Sequence, residues 1–460
     1  MHVSEHLRCL GLSCGLALAL TAPAAAQQAV SASVSNVRLA LTQLAAGAGV
    51  EIDTELLGDT PGGGSAIYLN QGDVTLAMLD DLLADSGHPD ALIRKDDRFV
   101  ASMPIVVLKG ASLSLSEGDR LDLSRREGSY LISFGALDVD HATIAAGPDV
   151  HPDIAGFRPF VAALGPQSLS LKDATLTGLG YGDRAYSAGL FLGGRGLLSF
   201  GSPAAMTGNS FTDLRGVVLQ DLDGVNLTDT EIADARGSGL MLRDIDGGTI
   251  TDLTVRDTGG EQALHLSGVS DMRLVNVALD GGQGKGMRVD DNSRALQLRD
   301  VAVRGFDGSG ATMAQGATCV LFDRIEVSGN KGAGFAERGA GTTIFNESRF
   351  ADNRGPGLMI DRQRPETRVL ITESRFAGNR MGIRATGLAD LRLHDNDFTD
   401  QRPRLLSGDL DALTPDFLRA SADGGAGDLS VTGVRALDPA PLRRDAARAA
   451  FDTCSGEGAT

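Results

Sequence analysis

The chain has 460 residues, 60 of them Gly, no Trp, and a formal net charge of −18. An acidic balance of that size argues against nucleic acid and anionic membrane surfaces as partners. The length suits one long unit with a smaller domain, and no stretch is apolar over the span a bilayer requires.

In chain order, residues 1–26 read as a secretory signal: Arg8, an apolar run from Cys9 to Leu20, and the small-residue site Ala24-Ala25-Ala26. Cleavage after Ala26 implies a periplasmic or secreted protein. Residues 27–101 read as a small α/β N-terminal domain. A helix is expected at Val37–Leu44 and another at Thr75–Leu83, with strands at Gly49–Asp53, Ala66–Leu69, Ala91–Ile93 and Arg98–Val100. Their order is similar to the N-terminal modules of secretins and TonB-dependent receptors. Residues 31–100 are thus either a cap on the N-terminal end of the longer unit or a contact for an envelope protein.

Residues 102–403 carry a repeat. Gly216, Gly239, Ala263, Gly286, Gly310, Gly334, Gly357 and Gly382 succeed one another at steps of 23, 24, 23, 24, 24, 23 and 25 residues. An apolar column precedes them at Phe211, Ile232, Val255, Leu279, Val303, Val327, Phe350 and Phe376. Such a period, without a helical stripe inside each unit, is the mark of a solenoid. The Asn or Cys ladder of leucine-rich repeats is not seen. The expectation is therefore an all-β fold, a right-handed parallel β-helix (a pectate-lyase-like solenoid), with sharp corners made by Gly. Alternation after the Gly sends Leu219, Leu242, Leu266, Val289, Met313, Glu337, Ile360 and Ala385 inward, with Glu337 the one polar member. It sends Val218, Met241, His265, Arg288, Thr312, Ala336, Met359 and Arg384 out to solvent. Residues 404–460 read as a C-terminal cap, with a helix near Pro441–Phe451. After signal cleavage only Cys319 and Cys454 remain. They are either two unrelated thiols or a disulfide pinning the tail to the solenoid. Asp423–Asp428 reads as a loop. No pattern of metal ligands or cofactor-binding motif is found, so neither a metal nor a cofactor is expected.

Several words in the sequence carry a family resemblance. These are Arg158-Pro159-Phe160-Val161, Leu179-Gly180-Tyr181-Gly182 with Ala185-Tyr186, Gly286-Met287-Arg288-Val289-Asp290-Asp291-Asn292-Ser293, and Asn346-Glu347-Ser348-Arg349-Phe350. In this order, over residues 102 to 400, the chain resembles the periplasmic mannuronan C5-epimerases, right-handed β-helix proteins that epimerise mannuronate to guluronate in polymer. The resemblance implies the solenoid and an anionic, uronate-containing polysaccharide as partner. The family's Asp-Pro-His-Asp turn is not kept: the matching positions hold Met241-Leu242-Arg243-Asp244 in one register and Thr312-Met313-Ala314-Gln315 in the other.

Chemistry on a uronate needs a base beside the carboxylate, donors for the developing enediolate, and an acid. Stacking by ~4.8 Å per turn gathers Arg243, Asp244, His265, Arg288 and Asp290 on one outward patch. The candidate catalytic residues are His265 as base, with Arg288, Arg243 and Asp244. The candidate substrate-binding residues are Arg243, His265, Arg288 and Asp290, with Tyr181 and Tyr186 as more remote acids. Guanidinium suits carboxylate recognition. The same residues also read as a surface ion-pair ladder of small energetic weight. The remaining histidines, His88, His141, His151 and His394, read as scattered. Three functions are compatible with these features: a polysaccharide-binding protein without turnover, an active C5-epimerase or lyase, or a protein-binding solenoid.

Overall fold

The structure, a computed structural model, describes residues 30–50, 64–165, 168–194, 204–422, 428–433, 435–437 and 445–456. The expected signal and its cleavage site, most of the strand expected at Gly49–Asp53, and the Asp423–Gly427 part of the expected loop lie outside these residues.

Because each repeat presents apolar residues at fixed offsets, it hydrogen-bonds in register to the repeat before it. Leu240, Leu264, Met287, Ala311, Phe335, Leu358 and Ile383 are successive parallel partners. So are Phe211, Ile232, Val255, Leu279, Val303, Val327, Phe350 and Phe376. The result is a right-handed parallel β-helix of about 12 turns with three strand faces. The first sheet holds the Gly-led strands. The second comes after it in each turn, and the third carries the Phe211–Phe376 column. One apolar core runs its whole length, from Ile67 to Val431. Toward the C-terminal end the core becomes an aromatic stack, with Phe350, Phe376 and Phe398 ring to ring at 4.9 and 4.6 Å.

The corners use Gly, as expected, at positions such as Gly224, Gly305 and Gly329, but not Gly alone. Between the sheets the chain turns through positive φ, and Asp occupies many of those positions, among them Asp221, Asp244 and Asp291 after the first sheet and Asp213, Asp234 and Asp257 after the third. Asp enters the left-handed region more readily than most side chains because its short polar group bonds locally. Much of the negative charge is therefore architectural. Asp and Gly complement each other between turns: a Cβ at Gly208, Gly268 or Gly378 would lie 2.1, 2.5 or 2.3 Å from the carboxylate of the preceding turn's Asp173, Asp244 or Asp352. A second difference is a buried asparagine ladder, which the sequence reading did not find. Asn330 donates to Asn353 and Asn353 to Asn379, each at 2.9 Å, and Asn379 donates to the Phe350 carbonyl at 2.8 Å.

Both ends are closed by helices. Strand Ser65–Thr75 pairs in parallel with Ile105–Val107 and Ala111–Leu115. Helix α1 (Arg38–Gly47) and helix α2 (Leu76–Asp85) flank it. Thr75 caps α2 by accepting from Met78 N at 3.3 Å, and Leu76, Leu79 and Leu83 enter the main core. A strand at Ser31–Asn36, absent from the sequence reading, pairs antiparallel with Ser65–Gln71. Helix α1 lies instead on the outer side of the first sheet. Its Leu41, Leu44 and Ala45 share an apolar cluster with Val106, Ile132, Ala162, Phe191 and Val218. At the far end, helix α3 (Thr414–Ala422) places Phe417 against Phe398 at 5.4 Å.

Helix α4 (Ala446–Ser455) turns back along the molecule. Its Ala447 and Phe451 cover Leu321, Ile344 and Leu370 on the outside of the second sheet. Of the two readings of the cysteines, the structure takes the disulfide: Cys319 and Cys454, 135 residues apart, are bonded with Cα atoms 5.6 Å apart. Among the described residues no helix is long and apolar enough to cross a membrane.

Candidate functional site

The outward column of the first sheet is continuous in register through Val218, Met241, His265, Arg288 and Thr312. It does not face solvent throughout, as alternation alone implies. Val218 is buried under α1 and its aromatic neighbours, and Ala336 is buried among the turns. The column opens at Met241, and from His265 to Thr312 it is half-buried.

Here the fold brings Gln262, His265, Arg288 and Asp290 together. His265 Nε2 donates to Asp290 Oδ1 on the next turn at 2.9 Å, and Gln262 Nε2 donates to His265 Nδ1 at 3.1 Å. Arg288 Nε donates to the other carboxylate oxygen of Asp290. Asp290 is buried, its side chain only 3% exposed, against 36% for Arg288. Burial pushes its carboxyl up. Its hydrogen bonds with His265 and Arg288, together with the Arg288 charge, outweigh burial and hold it below the usual carboxylate range. Both ring nitrogens of His265 thus have protein partners. A neutral imidazole so arranged has no open lone pair to remove a proton from a substrate.

Arg243 stands one turn earlier, its Nη2 3.6 Å from Met241 Sδ, and has no carboxylate partner among the described residues. It lines a cleft of about 420 Å³ with Met241, Ser238, Arg215 and residues 48–50 behind α1. Asp244 is not part of this group. It occupies a corner at φ 51°, where the alternation that placed its neighbours breaks, and its carboxylate lies against Gly268. Tyr181 and Tyr186 lie with the strand of Phe191, three turns from His265, a separation of about 14 Å. Tyr181 packs edge-on against Phe157 at 4.9 Å, and Tyr186 accepts a hydrogen bond from Arg184 at 3.1 Å. Gln262 was missed from the sequence because strict alternation puts it on the opposite face from His265.

The histidines read as scattered have carboxylate partners in two cases. His141 lies 2.6 Å from Asp140 and 3.2 Å from Asp173, and His394 lies 3.2 Å from Asp395 and 3.1 Å from Asp428. The His141 group is largely exposed and His394 and Asp428 are half-buried, and both groups lie turns away from His265.

Residues 262–407 match the family described as the right handed beta helix region. Among solved structures the chain is similar to the periplasmic alginate epimerase AlgG, at 16% identity and TM-score 0.63, over 83% of this chain and 94% of that one. A mutant of that epimerase aligns at 15% identity and TM-score 0.63, over 88% of this chain and 100% of that one. The chain shares the fold of that epimerase. At this identity the likeness is one of fold. No curated protein matches the chain by sequence. Neither position matched in sequence to that family's histidine turn, Met241–Asp244 or Thr312–Gln315, holds a histidine here.

Proposed function

We propose that this protein is exported and binds an anionic, uronate-containing polysaccharide along the open part of the first sheet, in the synthesis or modification of an exopolysaccharide, without turning it over. The observation that carries this reading is the pairing of the side chains at the site. Arg243 and the terminal nitrogens of Arg288 face outward as donors, while both nitrogens of His265 are taken by Gln262 and Asp290. The site offers cations suited to sugar carboxylates and no free base. The turns advance about 4.8 Å each, roughly the length of one pyranose residue, so successive outward side chains can meet successive sugars. The fold likeness to a periplasmic alginate epimerase is consistent with this substrate class and compartment.

A second reading, an active epimerase or lyase, draws on the pairing of half-buried His265 with buried Asp290. A carboxylate that orients an imidazole is what a catalytic base requires, and Gln262 would then have to swing away. The test is an NMR time course of polymannuronate, polyguluronate and mixed uronans with purified protein in deuterated water. Line broadening of the polymer with no deuterium at C5 and no unsaturated ends is the expected result. Deuterium incorporation or new unsaturated ends would establish turnover, and its loss in His265→Ala would assign the base. Absence of both broadening and turnover would remove uronans as ligands and favour a protein partner through residues 31–100.

A further inference from the structure

A second groove lies on a different face of the molecule, where helix α4 forms one wall against the second sheet. It encloses about 520 Å³, within the range of small-ligand sites. Its two ends differ chemically. At one end stand Arg273 and Gln297, neighbours in register on adjacent turns, with Arg448 of α4, whose Nε is ion-paired with Asp452 at 2.8 Å. Arg273 is exposed and has no ion-pair partner among the described residues. Gln297 accepts from Arg448 at 3.4 Å through its oxygen, which leaves its amide nitrogen to donate. At the other end stand Asp323 and Glu347 beside Arg299 and Arg324, with Arg299 Nε 3.9 Å from Asp323 Oδ2. Asp323 is fixed by Asn346 at 2.8 Å and Arg324 at 3.1 Å, and Arg324 is itself held by Asp300 at 2.8 and 2.9 Å. Leu321 contributes apolar surface between the ends.

We infer that this groove is an accessory binding site for a short carboxylated oligosaccharide, with a sugar carboxylate at Arg273, Gln297 and Arg448 and sugar hydroxyls donating to Asp323 and Glu347. This rests on the reading of the protein as a uronan binder and adds a second point of attachment to the first-sheet track. Cationic donors at one end, carboxylate acceptors set among arginines at the other, and apolar surface between can take a uronate ring, which carries its charge at one edge and hydroxyls at another. The wall bearing Arg448 stays in place through the Phe451 contacts and the Cys319–Cys454 bond. The site therefore depends on an oxidised chain.

The test is calorimetric titration of the oxidised full chain with saturated tetramannuronate and tetraguluronate, on wild type, Arg273→Gln, Arg288→Ala and Cys454→Ser. Both arginines are solvent-accessible, a matching Tm confirms that the two arginine variants fold, and a cooperative unfolding transition confirms that Cys454→Ser does. The expected result is two classes of site. Arg273→Gln weakens one of them about tenfold, the equivalent of one charge-assisted contact. Arg288→Ala weakens only the other, and Cys454→Ser weakens the same class as Arg273→Gln. A single class removed by Arg288→Ala and untouched by Arg273→Gln would overturn the groove and leave the first-sheet reading standing. A single class removed by Arg273→Gln alone would keep the groove and overturn the first-sheet track. No binding by wild type would overturn both.

Discussion

Glu337 offers the sharpest test of the physical argument. It stands in the inward column between Met313 and Ile360 and is fully buried. Neither carboxylate oxygen has a hydrogen-bond partner, and the adjacent Thr343 hydroxyl is directed at Met313 Sδ at 3.4 Å instead. Burial pushes its carboxyl up to about 8 from an ordinary 4.5, only partly offset by the charge of Arg364. The folded state therefore keeps a proton that the unfolded chain releases. The stability linked to that proton is fully present below pH 4.5 and is lost as pH rises through 8. The interval is 8 − 4.5 = 3.5 pH units. At 1.36 kcal/mol per unit it amounts to at most about 5 kcal/mol. Glu337→Met restores the apolar column and removes the linkage. Urea unfolding of wild type and variant, both oxidised, at pH 5, 7 and 9 is expected to show the variant's advantage growing steadily with pH. Other titrating groups are common to both proteins and cancel in the difference. An advantage that stays flat from pH 5 to pH 9 would refute the buried, proton-retaining carboxyl.

The remaining expectations concern the clasp, the ladder and the tail. Asp290→Asn removes a carboxylate held below its ordinary range, whose stabilisation is present above pH 3.8 and lost as pH falls through its lower folded value. The variant should be about 2 kcal/mol less stable at pH 7, with the gap closing in acid titrations. Asn353→Ala deletes four buried hydrogen bonds, to Asn330 N and Nδ2, the Val327 carbonyl and Asn379. A loss of about 3 kcal/mol or more is expected in denaturant midpoints. Reduction of wild type should raise hydrogen exchange in α4 and lower Tm, and Cys454→Ser should reproduce both effects and be insensitive to reductant. For a loop of 135 residues the chain-entropy limit of that loss is about 5 kcal/mol.

Whether a residue's place could be read depends on what puts it there. Met241, His265 and Arg288 were legible because a fixed period and strict alternation put them on one outward line, and the structure keeps that line. Asp244 was misplaced because a positive-φ corner breaks the alternation one residue after Arg243. Gln262 was invisible because its partner is a side chain that alternation assigns to the other face. The Asn330–Asn353–Asn379 ladder went unseen because it lies at corners, outside the apolar columns that reveal the repeat.

The sequence by itself determined the solenoid. In a stack of turns every residue meets its counterpart one period away, so the core, the register and the outward column are all local to neighbouring repeats. The tertiary structure alone decided what covers the stack. Helix α1 closes the first sheet as far as Val218, helix α4 returns to the second sheet under the Cys319–Cys454 bond, and Gln262 with Asp290 engages both nitrogens of His265. Those contacts join non-repeating segments across long separations, or depend on which way one side chain turns, and no period in the chain encodes either.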